Sequence, residues 1–303
     1  MKTIVTLFFD VGKIPGQAEA ILLPAGCGPD VAHVSGGIYF ASQDGSDWYE
    51  PLFVHVELEE GDERIAKLHA LLAPHDVKVD ISRRIEYSEE DYQNAVLLKM
   101  SSGSENLQCR ALELGTKYDT THACPRCGTG TKQVWFERVK RKELKRLQKH
   151  RAIMTLDSHI IVDPVMRQML VDGGITGISF ADVFMRDEVG DWNPIDYHQV
   201  LIESTLPAMR GELTADEETE ICPVCRRGGF SYYSNKRYHK DDLTDIKDFN
   251  FTWEWFGRFR FDGNVRTSDL SFPRILVTPK VRDILCKAGE KETFRWKPVT
   301  IEP

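Results

Sequence analysis

Hydrophobic and polar residues alternate in short runs over the first sixty positions. The segments "TIVTLFF" (3–9), "AEAILLP" (18–24), "GGIYFAS" (36–42) and "PLFVHVEL" (51–58) are rich in β-branched, aliphatic and aromatic residues and are separated by Gly, Pro and Asp. That pattern predicts strands. The period then changes. In "GDERIAKLHALLAPHD" (61–76) the apolar residues Ile65, Leu68, Leu71 and Leu72 recur at helical spacing, and Pro74 marks the end. "EYSEEDYQNAVLLKM" (86–100) opens with Ser88 as a candidate cap and Asp91 three positions on, predicting a short helix and then a strand through Val96–Met100. "SSGSEN" (101–106) is the clearest linker, so the expected domains are 1–106 and 107–303.

Beyond the linker the pattern recurs. "HIIVDPVMRQMLVDGGITGISFADV" (159–183) and "RILVTPKVRDILCKAGEKETFRWKPV" (274–299) align with one gap near the end. Ile160, Val162, Pro164, Arg167, Leu170 and Gly174 match Ile275, Val277, Pro279, Arg282, Leu285 and Gly289. Each unit reads as a strand, a Pro-initiated helix, a Gly stop and a second strand. A duplication and two unrelated units obeying the same capping rules are both compatible with these matches. The expected fold class is α+β: a mostly β N-terminal half, then two Cys-Pro-x-Cys knuckles of a zinc ribbon interleaved with two βαβ-like units.

Composition narrows the class. Of 303 residues, 41% are hydrophobic and 28% charged, as in a folded globular chain rather than a disordered one. The apolar start is broken by Asp10 and lacks a small-residue cleavage site, so it reads as a strand rather than a leader. No apolar run approaches the ~20 residues needed to span a bilayer, and a cytoplasmic location is expected. Net charge is −8, unevenly spread. Residues 1–120 carry 10 Lys/Arg against 20 Asp/Glu, whereas "ERVKRKELKRLQKHR" (137–151) carries 8 Lys/Arg against 2 Glu. An acidic chain repels phosphate backbones overall.

The cysteines carry the most specific chemistry. Four of the seven fall in "CPRC" (124–127) and "CPVC" (222–225), each beginning a turn. A Cys-x-x-Cys turn aims two thiolates at one point, and two such turns supply the four ligands of a structural zinc site. Cys124, Cys127, Cys222 and Cys225 are therefore the expected ligands of one structural Zn2+. The separation of 98 positions between Cys124 and Cys222 exceeds ordinary finger spacing, so the first βαβ-like unit is inserted between the knuckles. A thioredoxin-like redox pair, a disulfide closure and mixed ligation by His122 are the alternatives. Arg226 stands where the first knuckle has Gly128, which predicts a distorted second turn with its ligands intact. Cys27, Cys109 and Cys286 read as small buried apolar residues.

Other features admit two readings each. The basic strip 137–151 is either a nucleic-acid contact or a solvated helix with Leu144 and Leu147 packed inward. "FNFTWEWFGRFRF" (249–261) is either a stacking or docking surface or a core strand with Phe259 and Phe261 on one face and Arg258 and Arg260 on the other. The acidic "LTADEETEICP" (213–223) is a docking face or an exposed loop. No phosphate-cradling Gly loop, nucleophile elbow or His-x-x-x-His pair occurs. A non-catalytic protein is expected, and an enzyme would need a site assembled only in space, in the N-terminal half.

"YDTTHACPRCGTG", "IIVDPVMRQMLVDGGITGISF", "LP" (206–207), "CPVCRRGGF" and "FPRILVTPKVRDILCKAG" together resemble the bacterial double-CxxCG motif proteins, a paralogous family of myxobacterial type. The likeness covers about 118–303, and Arg226 departs from the family's Gly. It implies an immunity (antitoxin) protein that accompanies a bacterial toxin, with no catalytic residues to carry over. A basic toxin would be drawn to the acidic field of residues 1–120.

Overall fold

The computed structural model describes residues 1–12, 17–36, 39–40, 48–49, 52–110, 112–134, 136–187, 189–210, 213, 215, 220–231, 237–257, 259 and 271–303. The chain divides into two compact units, Met1–Glu90 and Asp91–Pro303. The boundary thus precedes the Ser/Gly-rich stretch that suggests it. The reason is hydrogen bonding: Leu98–Ser102 is an inner strand of the second unit, with Ser101 opposite Arg295 and Ser102 opposite Phe294. Small polar residues there edge a ladder rather than form a linker.

In the first unit, four antiparallel strands lie in the order Ala32–Gly36, Leu52–Glu59, Lys2–Asp10, Val79–Glu86. Helices Gln17–Ala25 and Glu63–Leu72 complete a split βαββαβ arrangement. Val5, Leu7 and Phe9 alternate into one core with Val54, Val56, Ile21, Leu22, Leu68 and Leu72. The strand expected over 18–24 is a helix. Ala18, Ile21, Leu22 and Ala25 follow the i, i+3, i+4, i+7 rule and are all buried, so the 3.6-residue period governs the run. The helix Glu63–Leu72 forms as expected, capped by the Asp62 carboxylate accepting from Arg64 N–H at 2.9 Å. Of the expected strand 36–42, Tyr39–Phe40 pairs with Trp48–Tyr49, and 37–38 and 41–42 lie outside the described residues.

The second unit holds two larger sheets. One has the order Glu137–Val139, Ile178–Arg186, Trp192–Ile202, Ile160–Val162, Ala152–Met154; the other Phe249–Phe256, Phe272–Val277, Leu98–Ser102, Phe294–Pro298. Both strand–helix–strand units form, around helices Pro164–Asp172 and Pro279–Lys287. In neither are the two strands neighbours. Trp192–Ile202 lies between Ile160–Val162 and Ile178–Arg186, and Leu98–Ser102 lies between Phe272–Val277 and Phe294–Pro298.

The registers superimpose. Ile160 and Phe180 both oppose Val200, while Ile275 and Trp296 both oppose Met100. Leu107 N donates to Met154 O at 2.9 Å, and Leu206 N to Phe251 O at 2.8 Å, where Met154 and Phe251 pair with Ile160 and Ile275. Asp163 N donates to Arg151 O, and Thr278 N to Asp248 O. The second unit is therefore built from two consecutive repeats, 98–186 and 192–298, and each inserts its first strand into the other's sheet. Three matched apolar pairs are buried alike: Ile160 and Ile275, Val162 and Val277, Leu170 and Leu285 are each under 5% exposed; of the matched arginines, Arg167 is exposed and Arg282 buried. One core joins both repeats. Gly174 and Gly289 end the helices at φ 59° and 91°, where a side chain is strained.

Candidate metal centre

The first knuckle is the tip of a hairpin whose strands, Tyr118–Asp119 and Lys132–Gln133, pair antiparallel. Inside it Gly128 N donates to Cys124 O and Cys124 N to Thr129 O, both at 2.8 Å. The second knuckle repeats the first bond, Arg226 N donating to Cys222 O, but its return bond reaches one residue further, Cys222 N donating to Gly228 O, both at 2.9 Å. Gly128 has φ 73° and Arg226 φ 56°. The second turn differs from the first only in that longer return, and Arg226 itself adopts the left-handed conformation that Gly128 adopts freely. Such a residue carries roughly 1–2 kcal/mol of strain.

The knuckles come from different repeats and meet sulfur to sulfur. Cys124 Sγ lies 3.8 Å from Cys222 Sγ, and Cys127 Sγ 3.4 Å from Cys225 Sγ. All four sulfurs lie within 4.8 Å of one another. A disulfide needs about 2.05 Å, and none is formed. A tetrahedral ion held at about 2.3 Å per sulfur requires S···S edges of roughly 3.8 Å. The four cysteines are thus close enough to bind one metal ion.

The surroundings favour a bound cation. Cys124, Cys127 and Cys222 are buried and pack with Phe259. Burial pushes the Cys127 thiol far up and raises Cys225 as well. At Cys124 burial also opposes ionisation, but the N–H groups of Arg126 and Cys127 outweigh it and the thiol sits below its ordinary value. Burial therefore opposes charge at Cys127 and Cys225, while at Cys124 hydrogen bonds from the backbone and the neighbouring thiols outweigh it. A positive ion would reverse that balance. Arg227 N donates to Cys225 Sγ at 3.4 Å.

Several expectations are resolved here. His122 is exposed and stands outside the sulfur cluster, so the donor set is four cysteines. Cys27 and Cys109 are buried as expected, whereas Cys286 is half-exposed. The knuckle's tightness at Gly228 is legible only in space. A Cβ there would stand 2.9 Å from Thr129 Oγ1, 3.0 Å from Cys127 Sγ and 3.1 Å from Ser271 Oγ. Phe259 joins the cluster, while Phe261, Arg258 and Arg260 lie outside the described residues.

Comparison with known families, curated proteins and solved structures finds no match. Geometry alone carries the site.

The remaining features are more ordinary. The basic strip forms the strand Glu137–Val139, a 3-10 turn Arg141–Glu143 and one helical turn Leu144–Leu147, with Leu147 buried. Arg146 pairs with the buried Glu143 at 2.6 Å and Arg151 with Asp163 at 3.2 Å, while Arg141, Lys142, Lys145 and Lys149 are exposed. The aromatic run is core: Phe249, Trp255 and Phe256 are at most 9% exposed. Most of the acidic approach to the second knuckle lies outside the described residues. No helix among the described residues is long and apolar enough to cross a membrane.

Proposed function

We propose that this chain is a non-catalytic binding protein closed by one structural Zn2+ on Cys124, Cys127, Cys222 and Cys225. The observation that carries the metal reading is the set of four clustered sulfurs, spaced near the edges of a zinc–thiolate tetrahedron. Thiolate ligands suit zinc, and four of them complete its tetrahedron, leaving no open position for substrate. The paired knuckles then act as a zinc ribbon whose halves belong to different repeats. The metal staples an intertwined pair rather than a local finger.

The partner reading rests on the double-CxxCG resemblance and on charge. An immunity factor folds rigidly, binds one toxin and performs no chemistry. The acidic 1–120 segment, with 10 basic against 20 acidic residues, would steer a basic toxin of the same cytoplasm. The test is the large reading frame adjacent to this gene, expressed alone and together with this chain. Growth arrest relieved by co-expression, with a salt-sensitive complex on gel filtration, is the expected result. Absence of either toxicity or complex would overturn the reading.

One observation favours a second reading. The exposed Arg141, Lys142, Lys145 and Lys149 form a local basic surface that would suit nucleic acid. Reversing the charges at Lys140, Lys142 and Lys145 abolishes salt-dependent RNA or DNA binding on that reading. It leaves toxin neutralisation unchanged on the first.

A further inference from the structure

One edge of the first unit's sheet is open. The strand Val79–Glu86 pairs with Lys2–Asp10 on one side, and among the described residues no strand pairs with its other side. Such an edge offers a row of backbone N–H and C=O groups to another chain. The strand is 8 residues long, and every residue from Asp80 to Ile85 is exposed. Two of them are large and apolar, Ile81 at 44% and Ile85 at 43% exposure.

The side chains of this strand alternate between two faces. Val79, Ile81, Arg83 and Ile85 oppose Phe9, Leu7, Val5 and Thr3, on the face that carries the core. Asp80, Ser82, Arg84 and Glu86 oppose Phe8, Thr6, Ile4 and Lys2, on the other face. Charges commonly guard an edge by repelling a copy of it. Here the sign of that effect depends on register. Two identical strands placed antiparallel about Ser82 set Asp80 opposite Arg84 of the copy, Lys78 opposite Glu86 and Val79 opposite Ile85. Two-fold symmetry makes each of those pairs occur twice. Centring on Ile81 instead sets Lys78 against Arg84, and centring on Arg83 sets Arg83 against itself and Asp80 against Glu86. Like charges directly opposite are destabilising, and opposite charges stabilise. Within the chain Lys78 meets Asp80 and Arg84 meets Glu86, yet all four side chains are between 41% and 87% exposed and open to a further partner.

We propose that Val79–Glu86 is a dimer interface, at which a second copy of this chain adds its own Val79–Glu86 antiparallel about Ser82. The two four-stranded sheets then become one. The two-fold axis runs perpendicular to that sheet, so the helices of both copies lie on one side, and Ile81 and Ile85 are covered there. A single strand pair is a small interface, which suits a reversible dimer of micromolar strength. The dimer is independent of the toxin reading.

Sedimentation velocity of the full chain from micromolar to millimolar concentration tests it, and a reversible monomer–dimer equilibrium is expected. Asp80→Lys and Arg84→Glu, each alone, put two like-charge pairs in the interface and should weaken the dimer about tenfold. Mixed in equal amounts, the two variants restore opposite charges at both places and should pair as strongly as the parent. A folding defect in either variant would give no such rescue. Ser82→Cys should form a disulfide between copies on oxidation, because directly opposite residues stand about 4.5–5.5 Å apart between Cα atoms. Asp80→Cys and the parent, as controls, should not. The proposal is overturned if the chain stays monomeric at millimolar concentration, if the mixture dimerises no better than either variant alone, or if Ser82→Cys crosslinks no faster than Asp80→Cys.

Discussion

Arg226 offers a test of the second knuckle that needs no ligand. It holds φ 56° where its counterpart in the first knuckle is Gly128 at φ 73°. A non-glycine residue in that region costs roughly 1–2 kcal/mol, and glycine returns about 0.5–1 kcal/mol of that through its freer unfolded chain. The Arg226 side chain is exposed, so little packing is lost with it. Arg226→Gly should therefore stabilise the second unit by about 1 kcal/mol. For a unit of this size that is a rise of about 2–4 °C in melting midpoint. The reciprocal change, Gly128→Ala, should lower the midpoint by a similar amount. Calorimetric melts of both variants at fixed free metal concentration decide the matter. If Arg226→Gly melts at or below the parent, the equivalence of the two turns is wrong.

Three further changes test other parts of the structure. Gly228→Ala should cost about 1–3 kcal/mol by overpacking and reduce metal retention, since its Cβ would press on Thr129, Cys127 and Ser271; urea melts with metal analysis check this. Leu170→Ala and Leu285→Ala, at matched positions both 2% exposed, should each cost about 2–5 kcal/mol and agree with each other more closely than random core pairs do. Hydrogen bonds from the Arg64 side chain and then its N–H hold the Asp62 carboxyl at about 2, below its ordinary 3.8. The sign follows: this stability is present above the ordinary value and is lost as pH falls toward 2. Asp62→Asn should flatten the acid limb of the first unit's stability curve, measured by pH-dependent denaturation.

The parts of the fold that depend on local periodicity were legible in the chain. The helices at 63–72, 164–172 and 279–287 follow their apolar spacing, and Pro164 and Pro279 mark their starts. The run 18–24 reads as a strand because short apolar stretches suit strands and helices alike; the buried set Ala18, Ile21, Leu22 and Ala25 makes it a helix. The six matches between 159–183 and 274–299 pointed to a repeat. They gave no sign of the exchanged strands, because pairing between Val200 and Ile160 or Met100 and Ile275 is a non-local choice. The ligand set was readable because Cys-x-x-Cys carries its geometry in four residues. The contact of His159 with the buried Glu137 was not, since the two belong to different elements of the first repeat and meet only in space.

The strand exchange sharpens what the four cysteines do. Each repeat lends its first strand to the other, so neither sheet is complete without both. The sulfurs join the same two partners at a second place, Cys124 to Cys222 and Cys127 to Cys225. A metal bound there would resist separation of the repeats, and its loss should loosen the whole of 98–298 rather than one loop.

The most direct measurement is metal content of the purified full chain by native mass spectrometry, paired with alkylation of its thiols under native conditions. One zinc per chain is expected, with Cys124, Cys127, Cys222 and Cys225 protected from alkylation. Both the zinc and the protection should be lost when Cys124 and Cys222 are replaced by Ser. A metal-free chain that melts cooperatively as before, with those four thiols open to alkylation, would contradict the account.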